Sequence, residues 1–265
     1  MIMNRPMSKP ILHYYNIADG ITAFTTTRHG GESKGSLGEL NINTHRGDDP
    51  AAVETNLNAL ANELNIPANR IVRQHQVHET ENRQITEAFF SLPIDKQKEM
   101  LEGSDALITN LKNACIGVFT ADCVPVLLYD PIHQCTAAIH AGWKGTVKRI
   151  VRATVQKLTH VYGTKPEDLK AVIGPCISLR NFEVGQEVYD SFMEAQFEME
   201  KIAQRYEKWH INLPLANELE LLALGVKKEN IHQSGICTFD QHKDYFSARR
   251  LKDTFGTIYT GIIIR

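Results

Sequence analysis

The fold of this chain is constrained most by the stretch from Ile116 to Gly145, which reads IGVFTADCVPVLLYDPIHQCTAAIHAGWKG. It contains two short apolar runs, Val124 to Tyr129 and Cys135 to Ile139, separated by residues that favour a turn. Small residues follow the second run, where they suit a turn into a helix. The stretch therefore predicts a hairpin-like pair of buried strands followed by the start of a helix.

Each of these apolar runs is bordered by a side chain that can bind a metal. Cys123 stands immediately before the first run, and His140 stands immediately after the second. A soft thiolate and an imidazole at neighbouring strand ends are ligands that zinc and copper accept. The pattern therefore predicts a zinc or copper site at these strand ends.

Composition narrows the class of protein. The chain has 265 residues and a formal net charge of -2, which gives no reason to expect a nucleic acid or an anionic membrane as partner. We expect no signal peptide from the N-terminal sequence and no membrane span, because no apolar run is long enough. The five cysteines are an odd, scattered set, which favours reduced thiols and a cytoplasmic location.

The segment from Arg70 to His78, RIVRQHQVH, alternates like a strand. Side chains alternate between the two faces of a regular strand. We therefore expect His75 and His78 on opposite faces, so that they do not share a metal.

Hydrophobic periodicity and turn residues predict a mixture of helices and strands. The predicted strands cover residues 20–27, 106–109, 169–173 and 261–264, and the predicted helices cover 51–64, 86–102, 146–162, 185–206 and 215–224. Because the central strands look hairpin-like, we expect an α+β fold with mixed sheets covered by helices.

Several motifs occur together along the chain, in the order TTRHGG, LNIN followed by GDDP, QVH, GSDALIT, ADCVPVLLYD, HAGWKG, IGPCI and FSARR. Together they closely resemble the bacterial family described as laccase-domain or polyphenol oxidase proteins. That family is also described as purine nucleoside phosphorylases and as peptidoglycan-editing factors. The resemblance spans essentially the whole chain, and ADCVPVLLYD and HAGWKG are its most specific parts.

The resemblance implies a fold and a site. It implies a single domain over residues 1–265, of layered α/β/β/α form with mixed sheets, related to cysteine-dependent toxin deamidases. It also implies a metal or catalytic site made of His78 from QVH, Cys123 from ADC and His140 from HAGW. The implied partners are a purine nucleoside and phosphate.

The chain departs from the family pattern at three positions. Glu79 stands where the family usually has glycine, Leu57 where an arginine is frequent, and Ala248 where a larger residue is usual. None of these is a candidate ligand, so we expect the site to be retained.

The residue types fit zinc-dependent chemistry on nucleosides. Two histidines and one cysteine leave one tetrahedral position open, as in catalytic zinc sites, where bound water ionises near pH 7. That suits deamination of adenosine, which the family is reported to perform beside phosphorolysis. Phosphorolysis needs groups that hold phosphate, and the candidates lie beside family motifs: Arg28, Asn41, Arg46, Lys144 and Arg249.

Asp122 adjoins Cys123, but on a regular strand its side chain would point the other way. It could act as a catalytic acid only if the backbone bends there. We expect a supporting or structural role for it behind the ligands.

Three enzymatic functions compete at this point. The favoured one is a zinc-dependent enzyme that cleaves adenosine, inosine and methylthioadenosine with phosphate and deaminates adenosine. A copper polyphenol oxidase is the second, although none of the eleven histidines forms the HxH pairs of a multicopper centre. The third is an amidase-like hydrolase that edits a cell-wall precursor with Cys123 as nucleophile. A non-enzymatic interaction protein is more distant, because it would not need these ligands.

Overall fold

The computed structural model describes residues 9–265. Its strands are β1 (Leu12–Tyr15), β2 (Ile21–Thr26), β3 (Asn82–Gln84), β4 (Ala106–Thr109), β5 (Cys115–Thr120), β6 (Val124–Asp130), β7 (Cys135–Ala141), β8 (Lys170–Ile173), β9 (Glu183–Val184), β10 (Ala203–Arg205), β11 (Trp209–Ile211), β12 (Ile231–Gln233) and β13 (Ile258–Ile264). Its α-helices are α1 (Pro50–Glu63), α2 (Glu87–Phe90), α3 (Ile94–Leu101), α4 (Trp143–Val147), α5 (Ile150–Tyr162), α6 (Gln186–Glu194), α7 (Met199–Ile202), α8 (Leu213–Leu224) and α9 (Ala248–Leu251). Among these helices, none combines the length and the apolar character needed to cross a membrane.

The strands form two large sheets and one small one. The six-stranded sheet has the order β12-β8-β6-β7-β4-β3, and the four-stranded sheet has the order β1-β2-β13-β5. The small sheet has the order β10-β11-β9. Parallel pairs (β12 with β8, and β3 with β4) and antiparallel pairs share the six-stranded sheet, as the predicted mixed sheets require.

Side-chain alternation along β6 shows how the layers are built. Val126 and Leu128 pack in a cluster with residues of α5 and α8, whereas Leu127 packs in another cluster with Ile116 and Ile262 of the four-stranded sheet. A further cluster joins the four-stranded sheet to α1. The order of layers is therefore helices, sheet, sheet, helix, which confirms the predicted α/β/β/α arrangement.

The predicted hairpin of β6 and β7 is confirmed. The two strands pair antiparallel, from Val124 opposite Ala141 to Asp130 opposite Cys135. The Asp130 carboxylate accepts hydrogen bonds from two backbone N–H groups of the connecting turn, at 2.8 and 3.1 Å, as turn aspartates do.

The strand predicted over Arg70–His78 is wrong. The segment makes only isolated bridges, at Ile71 and His75, and is otherwise irregular. Instead of the backbone, the side chain of Gln76 bonds the main chain of Phe119, accepting from its N–H at 2.7 Å and donating to its carbonyl oxygen at 2.8 Å. The alternation of residue types cannot reveal that a side chain, rather than the main chain of a neighbouring strand, makes these hydrogen bonds.

Three predicted helices are interrupted. The helix predicted over 86–102 is divided into α2 and α3 around Pro93. Proline has no backbone N–H to donate, and its ring disfavours a helical conformation of the preceding residue. The helix predicted over 146–162 is divided at Arg149, which has a left-handed φ of 63° and forms an ion pair with Glu220. The helix predicted over 185–206 ends at Glu194, and a short helix and a strand follow.

Candidate metal centre and substrate cavity

Three side chains from three separate parts of the chain converge at one edge of the six-stranded sheet. His78 comes from the irregular segment before β3, Cys123 from the bend between β5 and β6, and His140 from the end of β7. Their ligand atoms lie within 4.8 Å of one another, and Cys123 Sγ lies 3.8 Å from His78 Nε2. We call these three residues the His–Cys cluster.

The geometry of the His–Cys cluster fits a tetrahedral metal. Bonds of about 2.0 Å to nitrogen and 2.3 Å to sulfur place two tetrahedral ligands about 3.5 Å apart, close to the observed sulfur–nitrogen distance. Gly142 leaves room beside the ligands, since a Cβ there would lie 2.9 Å from His78 Cδ2 and 3.1 Å from Cys123 Sγ. The donor set and the space around it can therefore hold a metal ion.

Asp105, fully buried in the turn before β4, contacts two of the three cluster residues. Its carboxylate accepts backbone hydrogen bonds from Val77, His78 and Glu79, at 3.2, 3.0 and 2.8 Å. It also lies 2.6 Å from Nδ1 of His140. Because Nδ1 is engaged there, Nε2 of His140 is the nitrogen left for a metal, as in carboxylate–histidine–zinc arrangements.

Sequence reasoning missed Asp105. Asp105 belongs to the GSDALIT motif, in which a carboxylate stands directly before a buried strand. That position could have suggested a role near the strand ends, but the motif was used only for the family resemblance. Burial alone would raise the pKa of Asp105, but the hydrogen bond and charge of His140, together with the backbone N–H groups of Glu79 and Val77, outweigh burial and lower the pKa below its ordinary value. Asp105 is therefore an anion that can stabilise positive charge on the ring.

Charges within the cluster shift the pKa values of Cys123 and His140 in opposite directions. Burial alone would raise the pKa of the Cys123 thiol, but His140 and His78 outweigh it and lower the pKa to about 6. Burial alone would lower the pKa of His140, but Cys123 and Asp105 raise it to about 9. Without a metal, the pair is thus a thiolate beside an imidazolium, and binding a metal through His140 releases a proton.

Asp122 lies next to the cluster but points away from it. The backbone bends at this residue, where φ is 91°, so the regular strand assumed for it is wrong. Its carboxylate accepts hydrogen bonds from the Thr238 hydroxyl at 2.6 Å and from the Arg249 backbone N–H at 2.7 Å. Asp122 therefore ties the loop before Cys123 to two distant segments.

A cavity of about 220 Å³ lies beside the His–Cys cluster. All three cluster residues line it, and so do Arg46 and Phe255. The Arg46 guanidinium stacks 3.9 Å from the Phe255 ring centre and donates from Nε to the Phe255 carbonyl oxygen at 3.1 Å. Among the residues that the structure describes, no carboxylate lines this cavity, which therefore suits an anionic ligand.

Of the five residues predicted to bind substrate or phosphate, the structure places Arg46 at the wall of the cavity and the other four outside it. Arg28 donates to the Gly38 and His242 carbonyl oxygens at 2.9 and 3.0 Å. Asn41 is fully buried and donates to the Asp48 carboxylate at 2.8 Å. These two side chains hold loops together.

The other two predicted phosphate ligands are exposed and also lie outside the cavity wall. Lys144 lies over the ring of Trp143, and Arg249 donates to the Glu183 carbonyl oxygen at 2.9 Å. Arg46 is thus the predicted cation that the fold brings beside the cluster.

His75 lines the same cavity but is not part of the His–Cys cluster. Its Nδ1 lies 2.6 Å from the Glu102 carboxylate, and its ring stacks on His45 at 4.1 Å between centres. The expected separation of His75 from His78 is observed, although the strand from which it was inferred does not exist.

The three departures from the family pattern have different surroundings. Glu79 forms an ion pair with Lys148 at 2.5 Å, both at the surface. Leu57 is buried in the core beneath α1. Ala248 lines the cavity, so its small side chain enlarges the space beside the cluster.

The sequence of the chain is similar to a protein-family model and to several known proteins. The family model described as "Multi-copper polyphenol oxidoreductase laccase" matches residues 22–265. The chain is 42% identical to a purine nucleoside phosphorylase of Bacteroides thetaiotaomicron, over 97% of each protein. It is 38% identical to "Adenosine deaminase RL5" of an unknown prokaryotic organism, over 95% of this chain and 97% of that protein.

Solved structures agree with this assignment. YlmD from Geobacillus stearothermophilus superimposes with a TM-score of 0.88 at 29% identity, covering 98% of this chain and 99% of that one. YfiH from Bacillus licheniformis superimposes with a TM-score of 0.89 at 29% identity, covering 99% and 98%. The resemblance seen in the motifs is therefore confirmed, and the chain belongs to the laccase-like polyphenol oxidoreductase family, whose members include proteins named purine nucleoside phosphorylase and adenosine deaminase.

Proposed function

We propose that this protein is a zinc-dependent purine nucleoside phosphorylase that also deaminates adenosine. Its proposed substrates are adenosine, inosine and methylthioadenosine, with phosphate as the second substrate. The observation that carries the proposal is the opening of the His–Cys cluster into a cavity that contains Arg46 and, among the described residues, no carboxylate. The names of the relatives support the substrate class.

The two histidines and one cysteine suit a single zinc ion better than the multinuclear copper centre of an oxidase. Zinc held by two imidazoles and a thiolate supplies a Lewis acid with an open coordination position. Across residues 9–265, the His–Cys cluster is the one place where three such side chains converge, so these residues provide no second site for a multinuclear copper centre. Copper remains the alternative metal for this single site.

The residues of the chain have separable roles in the proposed reactions. Asp105 fixes the His140 ring and the backbone at His78, and these two histidines would hold a zinc ion together with Cys123. Arg46 offsets the charge of phosphate as a phosphate oxygen bonds to the sugar carbon and the bond to the base nitrogen breaks. Deamination exchanges the 6-amino group for a water oxygen and needs no phosphate, so it does not use Arg46.

We further propose that the chain works as one domain in the cytoplasm. All five cysteines are unpaired in the structure, as expected for a reducing compartment.

The test is to incubate the purified protein with each of the three nucleosides, with and without phosphate. Base release that requires phosphate shows phosphorolysis, and inosine formed from adenosine shows deamination. Removal of the metal by a chelator should abolish both activities, and zinc should restore them. If neither product forms with zinc-loaded protein, the proposal is wrong.

A variant separates the two activities. Arg46→Gln should raise the KM for phosphate at least tenfold and leave adenosine deamination within about twofold, because a charge-assisted contact to phosphate is lost. The matched control is Lys144→Gln, which removes a cation outside the cavity and should change neither activity. Equal losses of both activities in Arg46→Gln would contradict the role of Arg46.

One observation favours a second candidate, the amidase-like hydrolase. Cys123, His140 and Asp105 are arranged in the order nucleophile, base and orienting carboxylate, as in cysteine hydrolases. This candidate predicts an acyl group trapped on Cys123 and activity in metal-free protein. The phosphorylase proposal predicts neither.

A further inference from the structure

Two buried polar side chains at the cavity wall have no partner among the residues that the structure describes. Gln74 is 1% exposed, and both its amide nitrogen and its amide oxygen lack a hydrogen bond. The hydroxyl of Thr120, 2% exposed, lacks one as well. Both residues line the same cavity as the His–Cys cluster.

A nearby glutamine contrasts with Gln74, because its amide does have hydrogen-bond partners. Gln76, two residues further along the chain, uses both atoms of its amide to bond the main chain of Phe119. Buried polar groups in native proteins are almost always paired, and an unpaired one requires an explanation such as a bound ligand. Gln76 therefore supports the fold, whereas the Gln74 amide has no hydrogen-bond partner in the described fold and belongs to a residue that lines the cavity.

The backbone around Gln74 is held firmly. On one side, the Val72 N–H donates to the Cys115 carbonyl oxygen at 2.9 Å. On the other side, the His75 N–H donates to the Leu101 carbonyl oxygen at 3.3 Å. These two hydrogen bonds fix the backbone from which the Gln74 side chain extends. A ligand that binds there therefore does not have to pay the entropy cost of ordering this segment.

We propose that the Gln74 amide recognises the base of the nucleoside, by bonding N7 and the 6-amino group of a 6-aminopurine. This inference rests on the proposed function and adds a specificity-determining residue to it. A carboxamide presents one donor and one acceptor side by side, and the N7 edge of adenine presents the matching acceptor and donor.

The same geometry disfavours a 6-oxopurine. In hypoxanthine both N7 and O6 are acceptors, so only the amide nitrogen of Gln74 finds a partner, and its oxygen faces a lone pair. A buried site built for two hydrogen bonds discriminates strongly against a ligand that makes one. Ribose hydroxyls can each donate or accept, so recognition of the sugar by Gln74 would give no preference between these bases.

The test is equilibrium binding to the metal-loaded protein in phosphate-free buffer, by titration calorimetry. The probes are 7-deazaadenosine, which lacks the N7 acceptor, and 1-deazaadenosine, which keeps it. We expect the 7-deaza analogue to bind about tenfold more weakly than the 1-deaza analogue in the wild type. This comparison needs no substitution, so it stands whether or not a variant folds.

Variants then assign the difference to one side chain. Gln74→Met keeps the length of the side chain but removes both hydrogen-bonding atoms, and it should reduce the difference between the two analogues to less than twofold. It should also lower kcat/KM for adenosine more than for inosine. The matched control is Gln84→Met, on β3 and outside the cavity, which should leave the difference unchanged.

The outcomes separate this inference from the proposed function. If both analogues bind the wild type equally while adenosine is still cleaved with phosphate, the inference is wrong and the proposed function stands. A difference that persists in Gln74→Met also overturns the inference, and equal loss of adenosine and inosine turnover would point to the sugar. If no analogue binds and no nucleoside is cleaved, both are wrong.

Discussion

Cys123 and Cys176 lie at the same edge of the six-stranded sheet, because the adjacent strands β6 and β8 run antiparallel and one cysteine precedes β6 while the other follows β8. Their chemistry is nevertheless opposite. Cys123 has two imidazoles beside it, which lower the pKa of its thiol to about 6. Cys176 is 5% exposed, and burial together with the neighbouring Cys237 raises the pKa of its thiol well above the ordinary value.

The cavities beside these two cysteines differ in the same way. The one beside Cys176 is the larger, at about 350 Å³ against about 220 Å³, but no histidine of the described chain lines it. The sequence motifs IGPC and ADC both place a cysteine at a turn, so local sequence does not distinguish them. The charges that other segments bring to the thiol determine whether it can act as a ligand or nucleophile.

The largest expected contrast comes from removing each thiol. Cys123→Ala should lose most of its bound metal and at least 100-fold in nucleoside cleavage, because a ligand is removed. Cys176→Ala should keep metal and activity within about threefold. Cys123→Asp, which keeps an anionic donor, should retain some metal and measurable cleavage. Metal analysis and kcat/KM measure these effects, and a fully metal-loaded Cys123→Ala would contradict the ligand role.

The next effect concerns the two carboxylates near Cys123. Asp105→Asn should weaken metal binding about 10- to 100-fold, because it removes the anion that orients His140. Asp122→Asn is the matched control, and metal binding should change by less than about threefold, since that carboxylate bonds Thr238 instead. Titration against a competing chelator measures both. Equal losses in the two variants would show that Asp105 has no specific role.

The pH dependence of alkylation compares the two thiols directly. In metal-free protein, the lowered pKa makes Cys123 a thiolate above about pH 6, so its rate with iodoacetamide should rise through pH 6 and level off near pH 7. Cys176 should be labelled at least tenfold more slowly at pH 7, since its raised pKa and burial keep it protonated. Mass spectrometry of the labelled peptides gives both rates. Zinc should protect Cys123, and comparable labelling of both thiols would refute the assigned environments.

A pair of glycines gives a smaller contrast. Gly142→Ala should weaken metal binding severalfold, because its Cβ would enter the space beside His78 and Cys123. Gly174→Ala places a Cβ 2.9 Å from Pro125 Cγ and should cost about 1–3 kcal/mol of stability without changing metal affinity. Chemical denaturation and metal titration separate the two effects. Loss of metal affinity in Gly174→Ala would show that the two regions are coupled.

The smallest expected effect is that of His75→Ala. The His75 ring bonds Glu102 and stacks on His45, so its removal should leave metal content within about twofold of the wild type. His78→Ala is the comparison and should lose most of the metal. A loss in His75→Ala equal to that in His78→Ala would place His75 among the ligands.

Much of the fold follows from local patterns. The β6–β7 hairpin was predictable because its two apolar runs and its Asp-Pro turn are contiguous in sequence. The motifs also indicated His78, Cys123 and His140, and these side chains do converge, although their binding of a metal stays a prediction. The breaks in the predicted helices were less predictable, since Arg149, where φ is left-handed, pairs with Glu220, a residue far away in sequence.

By itself, the sequence determined the types of side chain available, the strand and helix periodicities, and the family. The tertiary structure alone decided which groups act together. Asp105 became the carboxylate that orients His140 because three backbone N–H groups of the irregular segment converge on it. Gln74 differs from Gln76 in its partners and Cys123 differs from Cys176 in its charged neighbours, and both differences arise from contacts between segments distant in sequence. Hydrogen bonds and pKa shifts depend on distances of a few ångströms, which no local sequence pattern specifies.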